Sequence, residues 1–290
     1  MDISRDQTEL VAPRLLQSLR PFSLVVALVS CGLGVALALL EGYGSGWRAL
    51  LILLAGLALQ AGVNLINDLG DLPLLQDARF AERRRGIHRH ARLGYGCFVF
   101  CSLIGFWLVA DVGLSLLGLC ILGAIGALGY SVEPIHYKRR GLGVPLVFWL
   151  MGVLMVLGAS HAMGAPLTLS QLWLSLPISA LISLLLLSNE LRDWELDHQR
   201  GVKTLTVRLG YAPGQKLYLA LLAGTYLLTL ALWQQQLLLR LWPLLPSLLL
   251  LPALLKLLDA EPQSRRALTP ASGRLLLIFG LLYLGCLLPF

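Results

Sequence analysis

Long apolar stretches, separated by shorter polar segments, follow one another along almost the whole chain. A helix needs about 20 apolar residues to cross the roughly 30 Å hydrocarbon core of a bilayer. Nine stretches approach that length, and each predicts a transmembrane helix. They cover residues 22–41, 48–67, 95–110, 112–130, 144–163, 170–189, 217–235, 241–257 and 273–289. The pattern predicts an all-α membrane protein with nine transmembrane helices, and a single integral-membrane domain over residues 1–290.

The charge distribution gives this protein an orientation. Charged residues make up only 13% of the chain and hydrophobic residues 57%, which is not the composition of a soluble domain. The net charge is +7, and nearly all basic residues lie in alternate connections; Arg48 and Arg240 are the exceptions. The positive-inside rule predicts a bacterial-type inner-membrane protein with residues 1–21 in the cytoplasm. Membrane lipid is a sufficient partner for the basic charge, so no nucleic-acid binding is expected.

Two polar stripes end the second and sixth apolar stretches. Asn64, Asp68 and Asp71 form the first, and Asn189, Asp193 and Asp197 form the second. At 100° per residue, each set lies on one face of its helix. Both helices run in the same direction, so we expect the carboxylates at the same depth on the cytoplasmic side. The repeat predicts two four-helix halves that face each other, with the ninth helix alongside.

These stripes indicate a metal-bound diphosphate. Carboxylates at the ends of membrane helices are costly unless they are solvated, paired or metal-bound. Mg²⁺ is usually held by a few carboxylates together with substrate phosphates. Arg192 and Lys203 flank the second stripe, and Lys138 and Arg140 lie in the connection between the halves, where they could neutralise phosphate oxygens. We therefore predict that both stripes and the nearby cations bind one diphosphate.

Three segments resemble the UbiA-type prenyltransferases. Asn64-Leu-Ile-Asn-Asp-Leu-Gly-Asp71 is similar to the first Asp-rich motif of that family. The family's second motif is similar to the segment Asn189-Glu-Leu-Arg-Asp-Trp-Glu-Leu-Asp197. The family's loop between the two motifs is similar to Tyr137-Lys-Arg-Arg-Gly-Leu-Gly143. Asp77 follows Asp71 at the six-residue spacing of the menaquinone-biosynthesis branch, which prenylates 1,4-dihydroxy-2-naphthoate.

The resemblance implies a UbiA-like nine-helix fold and a prenyltransferase that moves a polyprenyl group from an allylic diphosphate to an aromatic acceptor. It implies two Mg²⁺ ions and assigns roles to individual residues. The implied catalytic residues are Asp68, Asp71, Asp193 and Asp197. The implied metal ligands are these four with Asn64 and Asp77. The implied diphosphate ligands are Asn64, Asn189, Arg192, Lys138, Arg140 and Lys203.

Other functions stay open at this stage. Glu133-Pro134 and Val144 depart from the naphthoate pattern, so 4-hydroxybenzoate or another acceptor is an alternative. A protein of a different class, a cation-coupled secondary transporter, could also use two acidic helix ends in repeated halves. We interpret the basic residues between 79 and 92 as a loop of topology determinants and headgroup anchors.

Overall fold

The computed structural model describes residues 13–131 and 137–288, and those residues contain helices and no strand. We label the long helical segments α1 to α9. Their bounds are α1 Pro21–Leu40, α2 Gly46–Asn67, α3 Ala81–Val112, α4 Leu114–Ser131, α5 Gly143–Ala162, α6 Leu169–Arg192, α7 Tyr211–Gln234, α8 Trp242–Leu258 and α9 Leu268–Leu287. Shorter helices are Leu15–Leu19, Trp194–Gln199, Leu205–Leu209 and Pro262–Arg265. The prediction of an all-α membrane protein is confirmed.

Seven helices in the described part of the chain are long and apolar enough to cross a membrane. They are α1, α2, α3, α5, α6 and α7, and the helix that ends in α9. α4 and α8 are apolar but shorter. α8 begins as a 3₁₀ helix over Trp242–Leu250, with Pro246 inside it. Because 3₁₀ geometry rises about 2 Å per residue, α8 still extends roughly 30 Å. Membrane crossing by α4 and α8, which would bring the total to nine, stays a prediction.

The third helix corrects the sequence prediction of a basic loop. α3 is 32 residues long and begins at Ala81, so most of the arginine-rich segment is helical. Arg and Glu are good helix formers, and Arg85, Arg89 and Arg92 are exposed on one side of the helix. The opposite face buries Gly86, Ile87, His90 and Ala91. Gly94 lies where the backbones of α3 and α2 approach closely, since a Cβ there would be 3.1 Å from the Gly62 carbonyl oxygen.

α1 and α6 lie at the centre of the bundle. α1 packs against α2, α5, α6 and α9, while α6 packs against α5, α7 and α9. α5 widens into a π helix at Phe148–Leu154, where Ser30 of α1 donates a 2.7 Å hydrogen bond to the Met151 carbonyl oxygen. Gly152 is required there, because a Cβ would overlap Ser179 of α6.

The ninth helix is part of the core, which corrects the expectation that it lies alongside two halves. Phe279 and Tyr283 of α9 are fully buried, and Gly280 packs directly on Val29 of α1. The Tyr283 hydroxyl donates a 3.0 Å hydrogen bond to the Leu174 carbonyl oxygen of α6. α9 therefore connects the two central helices.

Contacts at one end of the bundle fix the relative directions of α2 and α6. Gln171, in the first turn of α6, donates a 3.2 Å hydrogen bond to Glu41 at the end of α1. Arg48, in the first turn of α2, donates to the Met163 carbonyl oxygen just before α6. Both helices therefore start at the same end, and with 22 and 24 residues they reach the other end together.

Candidate functional site

The first Asp motif is held by the segment that precedes α1. α2 ends at Asn67 and continues as a 3₁₀ helix over Asp68–Leu74. The Asp68 carboxylate accepts hydrogen bonds from Arg20, at 2.9 Å, and from the Ser18 hydroxyl, at 3.1 Å. Ser18 also lies 3.0 Å from His90 Nδ1 of α3. Since Ser18 has one proton to donate, His90 donates to Ser18 when Ser18 donates to Asp68.

Asn64, one helical turn before Asp68, also binds the segment that precedes α1. Its side-chain amide donates to the Leu19 carbonyl oxygen at 2.7 Å and to the Ser23 hydroxyl at 2.6 Å. Its Oδ1 accepts from Gln60 at 3.2 Å, which leaves one lone pair of that oxygen for another partner. These bonds hold the turn at Arg20, which has a left-handed backbone conformation with φ 49°.

Asp71 and Asp77 follow Asp68 in different settings. Asp71 lies within the 3₁₀ helix, but its side chain is outside the described part of the structure, as is that of Lys138. Asp77 caps the next short helix by accepting from the Arg79 backbone N–H at 3.0 Å, and it forms an ion pair with the Arg79 side chain. Half of the Asp77 side chain is exposed. The structure therefore shows a capping role for Asp77, and metal binding there stays a prediction.

The second Asp motif begins with an arginine–carboxylate pair. Arg192 ends α6 and donates two hydrogen bonds to the carboxylate of Asp193, from Nε at 2.8 Å and from Nη2 at 2.5 Å. The Asp193 backbone N–H bonds to the Asn189 carbonyl oxygen, and the Asp197 N–H bonds to the Asp193 carbonyl oxygen. The helix thus continues with a small irregularity at Asp193, so that Asn189, Asp193 and Asp197 lie on successive turns.

Neighbouring side chains fasten the second motif to the loop that follows it. Buried Glu190 accepts a 3.0 Å hydrogen bond from the Thr206 backbone N–H. Trp194 donates from its ring nitrogen to the Thr206 carbonyl oxygen at 3.1 Å. Both backbone polar groups of Thr206 are therefore bound by motif residues. These bonds fix the loop that runs from the second motif to Thr206.

A buried arginine from the far end of the sequence supports the same helix. Arg265 is 3% exposed and forms an ion pair with Glu195 of the second motif. Its guanidinium lies 4.4 Å from the centroid of the Tyr211 ring, and Tyr211 packs edge-on against Trp194. A cation over an aromatic ring is stabilising when it is shielded from water. Arg265 thus joins the α8–α9 connection to the second motif.

The connection before α5, which carries Lys138 and Arg140, lies against the connection before α7, which carries Lys203 and Arg208. A Cβ at Gly141 would be 2.6 Å from the Arg208 Cδ, so the loop of Lys138 and Arg140 packs directly on the Arg208 side chain. Arg208 in turn donates a 3.0 Å hydrogen bond to the Lys203 carbonyl oxygen. The predicted diphosphate ligands Lys138, Arg140 and Lys203 therefore sit on adjoining loops at the end of the bundle where the Asp motifs lie.

The donor set fits a magnesium diphosphate. Asp68 and Asp193 are partly exposed, at 19% and 39%, and each is neutralised by an arginine. Carboxylate oxygens suit Mg²⁺, and guanidinium groups suit phosphate oxygens. Among the described residues, no three His, Cys, Asp or Glu side chains form a metal-binding group. Mg²⁺ is usually held by one or two carboxylates together with substrate phosphates, so two Asp–Arg pairs are a donor set of the expected kind.

Several supporting residues could not be found from sequence. Ser18 and Arg265 contact motif residues 50 and 70 positions away, and His90 contacts Ser18 across 72 positions. Their local sequence gives no signal of these contacts. Arg192 was predicted, because it is adjacent to Asp193. The contact of Arg20 with Asp68 spans 48 positions and likewise has no local signal.

Sequence comparisons find one matching family model, that of the UbiA prenyltransferase family, over residues 25–281. A 1,4-dihydroxy-2-naphthoate octaprenyltransferase of Escherichia coli is 32% identical over 83% of this chain and 82% of that protein. The enzyme of the same name from Haemophilus influenzae is 33% identical over 74% of this chain and 75% of its own length. A third, from Mycobacterium leprae, is 35% identical, and the match covers 64% of this chain and 66% of that protein.

Solved structures show the same fold. A UbiA homologue from Aeropyrum pernix superposes with a TM-score of 0.65 and 20% identity, over 93% of this chain and 96% of that one. A UbiA homologue from Archaeoglobus fulgidus, bound to GPP and Mg²⁺, gives a TM-score of 0.61 and 16% identity, over 93% and 99% of the chains. The resemblance found in the motifs is therefore confirmed over most of the chain.

Proposed function

The chain belongs to the UbiA prenyltransferase family, and we propose that it transfers a polyprenyl group from an allylic diphosphate to 1,4-dihydroxy-2-naphthoate. The observation that carries the proposal is the pair of Asp–Arg contacts, Asp68 with Arg20 and Asp193 with Arg192, at the same end of two parallel helices. The names of the bacterial relatives support the choice of acceptor. The proposal treats residues 1–290 as one prenyltransferase domain.

The two motifs supply the ligands for the metal diphosphate. We propose that Asn64, Asp68 and Asp71 hold one Mg²⁺ and that Asp193 and Asp197 hold another, with Asn189 beside them. When bound, these ions would draw negative charge from the diphosphate and so favour its departure. The A. fulgidus homologue is bound to GPP and Mg²⁺, which supports the choice of Mg²⁺ as the metal.

The arginines next to the carboxylates would exchange partners when the donor binds. Arg20 and Arg192 neutralise Asp68 and Asp193 in the structure. A cation that takes over the carboxylate oxygens frees both guanidinium groups, whose N–H donors can then bind phosphate oxygens. Lys138, Arg140 and Lys203, on the adjoining loops, would cover the remaining phosphate charge. These groups would stabilise the charge that develops on the leaving diphosphate.

The transfer itself breaks one bond and forms another. The allylic C–O bond cleaves, and its electron pair leaves with the diphosphate. The electron-rich ring carbon that bears the carboxyl group then forms the new C–C bond with the prenyl carbon. The carboxyl group leaves as CO₂, and its bonding electrons restore the aromatic ring. The protein would contribute by positioning the two substrates and by stabilising the charge on the leaving diphosphate.

The distribution of basic residues supports an orientation. The Asp motifs, the arginine-rich start of α3 and the two basic loops all lie at one end of the bundle, while Arg48 and Asp111 pair at the other. By the positive-inside rule, we propose that the active site and the N-terminal segment face the cytoplasm. The chain would then be a multi-pass inner-membrane enzyme of menaquinone biosynthesis, with a prenyl donor that enters from the bilayer.

An acceptor panel tests the proposal. Purified protein is incubated with a polyprenyl diphosphate, Mg²⁺ and either 1,4-dihydroxy-2-naphthoate or 4-hydroxybenzoate, and products are identified by mass spectrometry. We expect a prenylated, decarboxylated naphthalene product, and none from the Asp193→Asn variant. Product from 4-hydroxybenzoate alone would overturn the acceptor but keep the prenyl transfer. No product and no diphosphate release with any acceptor would overturn the function.

A further inference from the structure

One face of α3 carries a basic head followed by an apolar stripe. The α3 stripe consists, in chain order, of His88, Arg92, Tyr95, Val99, Leu103 and Phe106. At 100° per residue these positions fall within an arc of about 80° on the helix. The last four side chains are 53%, 61%, 65% and 66% exposed, so the described residues leave this face uncovered.

The basic head lines a recess beside the first Asp motif. The recess has a volume of about 560 Å³ and is lined by Leu69, His88, Ala91, Arg92 and Tyr95. Leu69 directly follows Asp68, so the recess lies at the level of the motif. No described residue forms a hydrogen bond or ion pair with the side chain of Arg92 or His88. Arg84, by contrast, is occupied by the carbonyl oxygens of Leu75 and Gln76.

The length of α3 places this recess at the membrane interface. Asp111 marks the other end of α3, where it pairs with Arg48. The 19 residues from Arg92 to Asp111 rise about 28 Å, close to the roughly 30 Å thickness of the hydrocarbon core. Arg92 therefore lies at headgroup level, and Tyr95 lies at the boundary that tyrosine favours.

The apolar part of the α3 stripe matches one leaflet. From Tyr95 to Phe106 the helix rises about 16 Å, which is half of the hydrocarbon core. A ligand that satisfied the whole stripe would combine a negatively charged head with an apolar tail of that length. Inorganic phosphate would use the head alone.

We propose that the α3 stripe binds one anionic phospholipid from the leaflet on the Asp-motif side. Arg92 and His88 bind its phosphate, Tyr95 lies beside its glycerol, and one acyl chain lies along Val99, Leu103 and Phe106. Arg92 has no hydrogen-bond or ion-pair partner among the described residues, and the helix face below it is apolar. Together these two features select a lipid of net negative charge. Arg92 and His88 are not among the proposed diphosphate ligands, so this proposal does not depend on the proposed function.

Native mass spectrometry of the full chain, delipidated in detergent, tests this site. The protein is titrated with dioleoyl phosphatidylglycerol, and the affinity of the first bound lipid is compared among variants. Arg92→Gln is expected to lower the affinity for that lipid about fivefold, the effect of losing one cation near an anionic lipid. His88→Gln/Arg92→Gln should weaken it further. The matched control is Arg274→Gln, an exposed arginine in the second turn of α9 that does not line this recess, and it should leave binding unchanged.

Three probes separate the sources of phosphate. Dioleoyl phosphatidylcholine, which has no net charge, and dihexanoyl phosphatidylglycerol, which has short tails, should both bind more weakly than the long-chain anionic lipid. Inorganic phosphate should not displace that lipid. The proposal is overturned if His88→Gln/Arg92→Gln binds phosphatidylglycerol as the wild type does, or if Arg274→Gln loses as much affinity. It is also overturned if inorganic phosphate or geranyl diphosphate displaces the lipid from the wild type but not from Arg92→Gln.

Discussion

The two Asp motifs occupy equivalent positions at the ends of α2 and α6, yet they are supported in different ways. Asp68 is bound by Ser18 and Arg20 from the segment before α1, and the Arg20 side chain is 45% exposed. The second motif is braced by Arg265, whose side chain is only 4% exposed, and by contacts to both backbone groups of Thr206. An exposed ion pair contributes little to stability, whereas a buried charge that loses its partner is costly. Arg20 can therefore leave Asp68 at little cost in stability. The backbone of the second motif is a fixed platform, because Arg265 and Thr206 hold it in place around the partly exposed Arg192–Asp193 pair.

The largest expected effect is shared by both motifs. Asp68→Asn and Asp193→Asn should each lower kcat/KM by at least about a hundredfold, because each removes a charge that we propose to hold the metal diphosphate. Diphosphate release is the assay. Asp259→Asn, an exposed carboxylate that accepts a hydrogen bond from Gln215, is the matched control and should keep wild-type activity. Wild-type activity in both motif variants would remove the metal assignment.

The next largest effect is a loss of folding stability that we expect only in the second motif. Glu195→Gln leaves Arg265 buried without its carboxylate and should destabilise the protein by about 2 kcal/mol. This is below the range for fully buried pairs, because the Glu195 side chain is 38% exposed. Arg265→Met removes the buried charge and leaves Glu195 able to reach water, so it should cost less. Thermal unfolding in detergent measures both, and an equal or opposite order would contradict the fixed-platform description.

In the first motif the corresponding change should affect binding and not stability. Arg20→Gln removes the exposed partner of Asp68, so the unfolding temperature should stay within error. The KM for the prenyl diphosphate should rise about tenfold, since a charged hydrogen bond to phosphate is lost. Arg14→Gln, in the same segment but without a bond to Asp68, is the control. A clear loss of stability in Arg20→Gln with unchanged KM would reverse the contrast between the motifs.

The smallest effect is expected at Asp77. Asn is as good a helix cap as Asp, so Asp77→Asn should keep the bond to the Arg79 backbone and change turnover by less than about twofold. If Asp77 were a metal ligand, Asp77→Asn would lower turnover strongly, because the neutral amide lacks the charge of the carboxylate. Turnover that falls as far as in Asp68→Asn would add Asp77 to the metal site, as the six-residue spacing implies.

Sequence predicts the motifs well because their signal is local. Helical periodicity alone places Asn189, Asp193 and Asp197 on one stripe, and Arg192 is adjacent to its partner. The helical bounds also follow from apolar length, within a few residues for α1, α2 and α6. The UbiA family is recognisable from the same short segments, and the comparisons confirm it.

The remaining features depend on contacts that are distant along the chain. The start of α3 was predicted as a loop because its arginines hide a buried face that includes Ile87 and His90. The central place of α9 depends on how Phe279 and Tyr283 pack on other helices, and apolar length carries no such information. The brace from Arg265 to Glu195 joins residues 70 positions apart, so only the folded structure reveals it.

Metal-dependent donor binding tests the central claim most directly. Isothermal titration calorimetry of geranyl diphosphate against the wild type, Asp68→Asn and Asp193→Asn, each with Mg²⁺ and with EDTA, measures whether both motifs hold one donor. Tight binding is expected only for the wild type with Mg²⁺, and either single substitution should abolish it. Equal affinity with EDTA, or unchanged Mg²⁺-dependent binding in one of the variants, would contradict it.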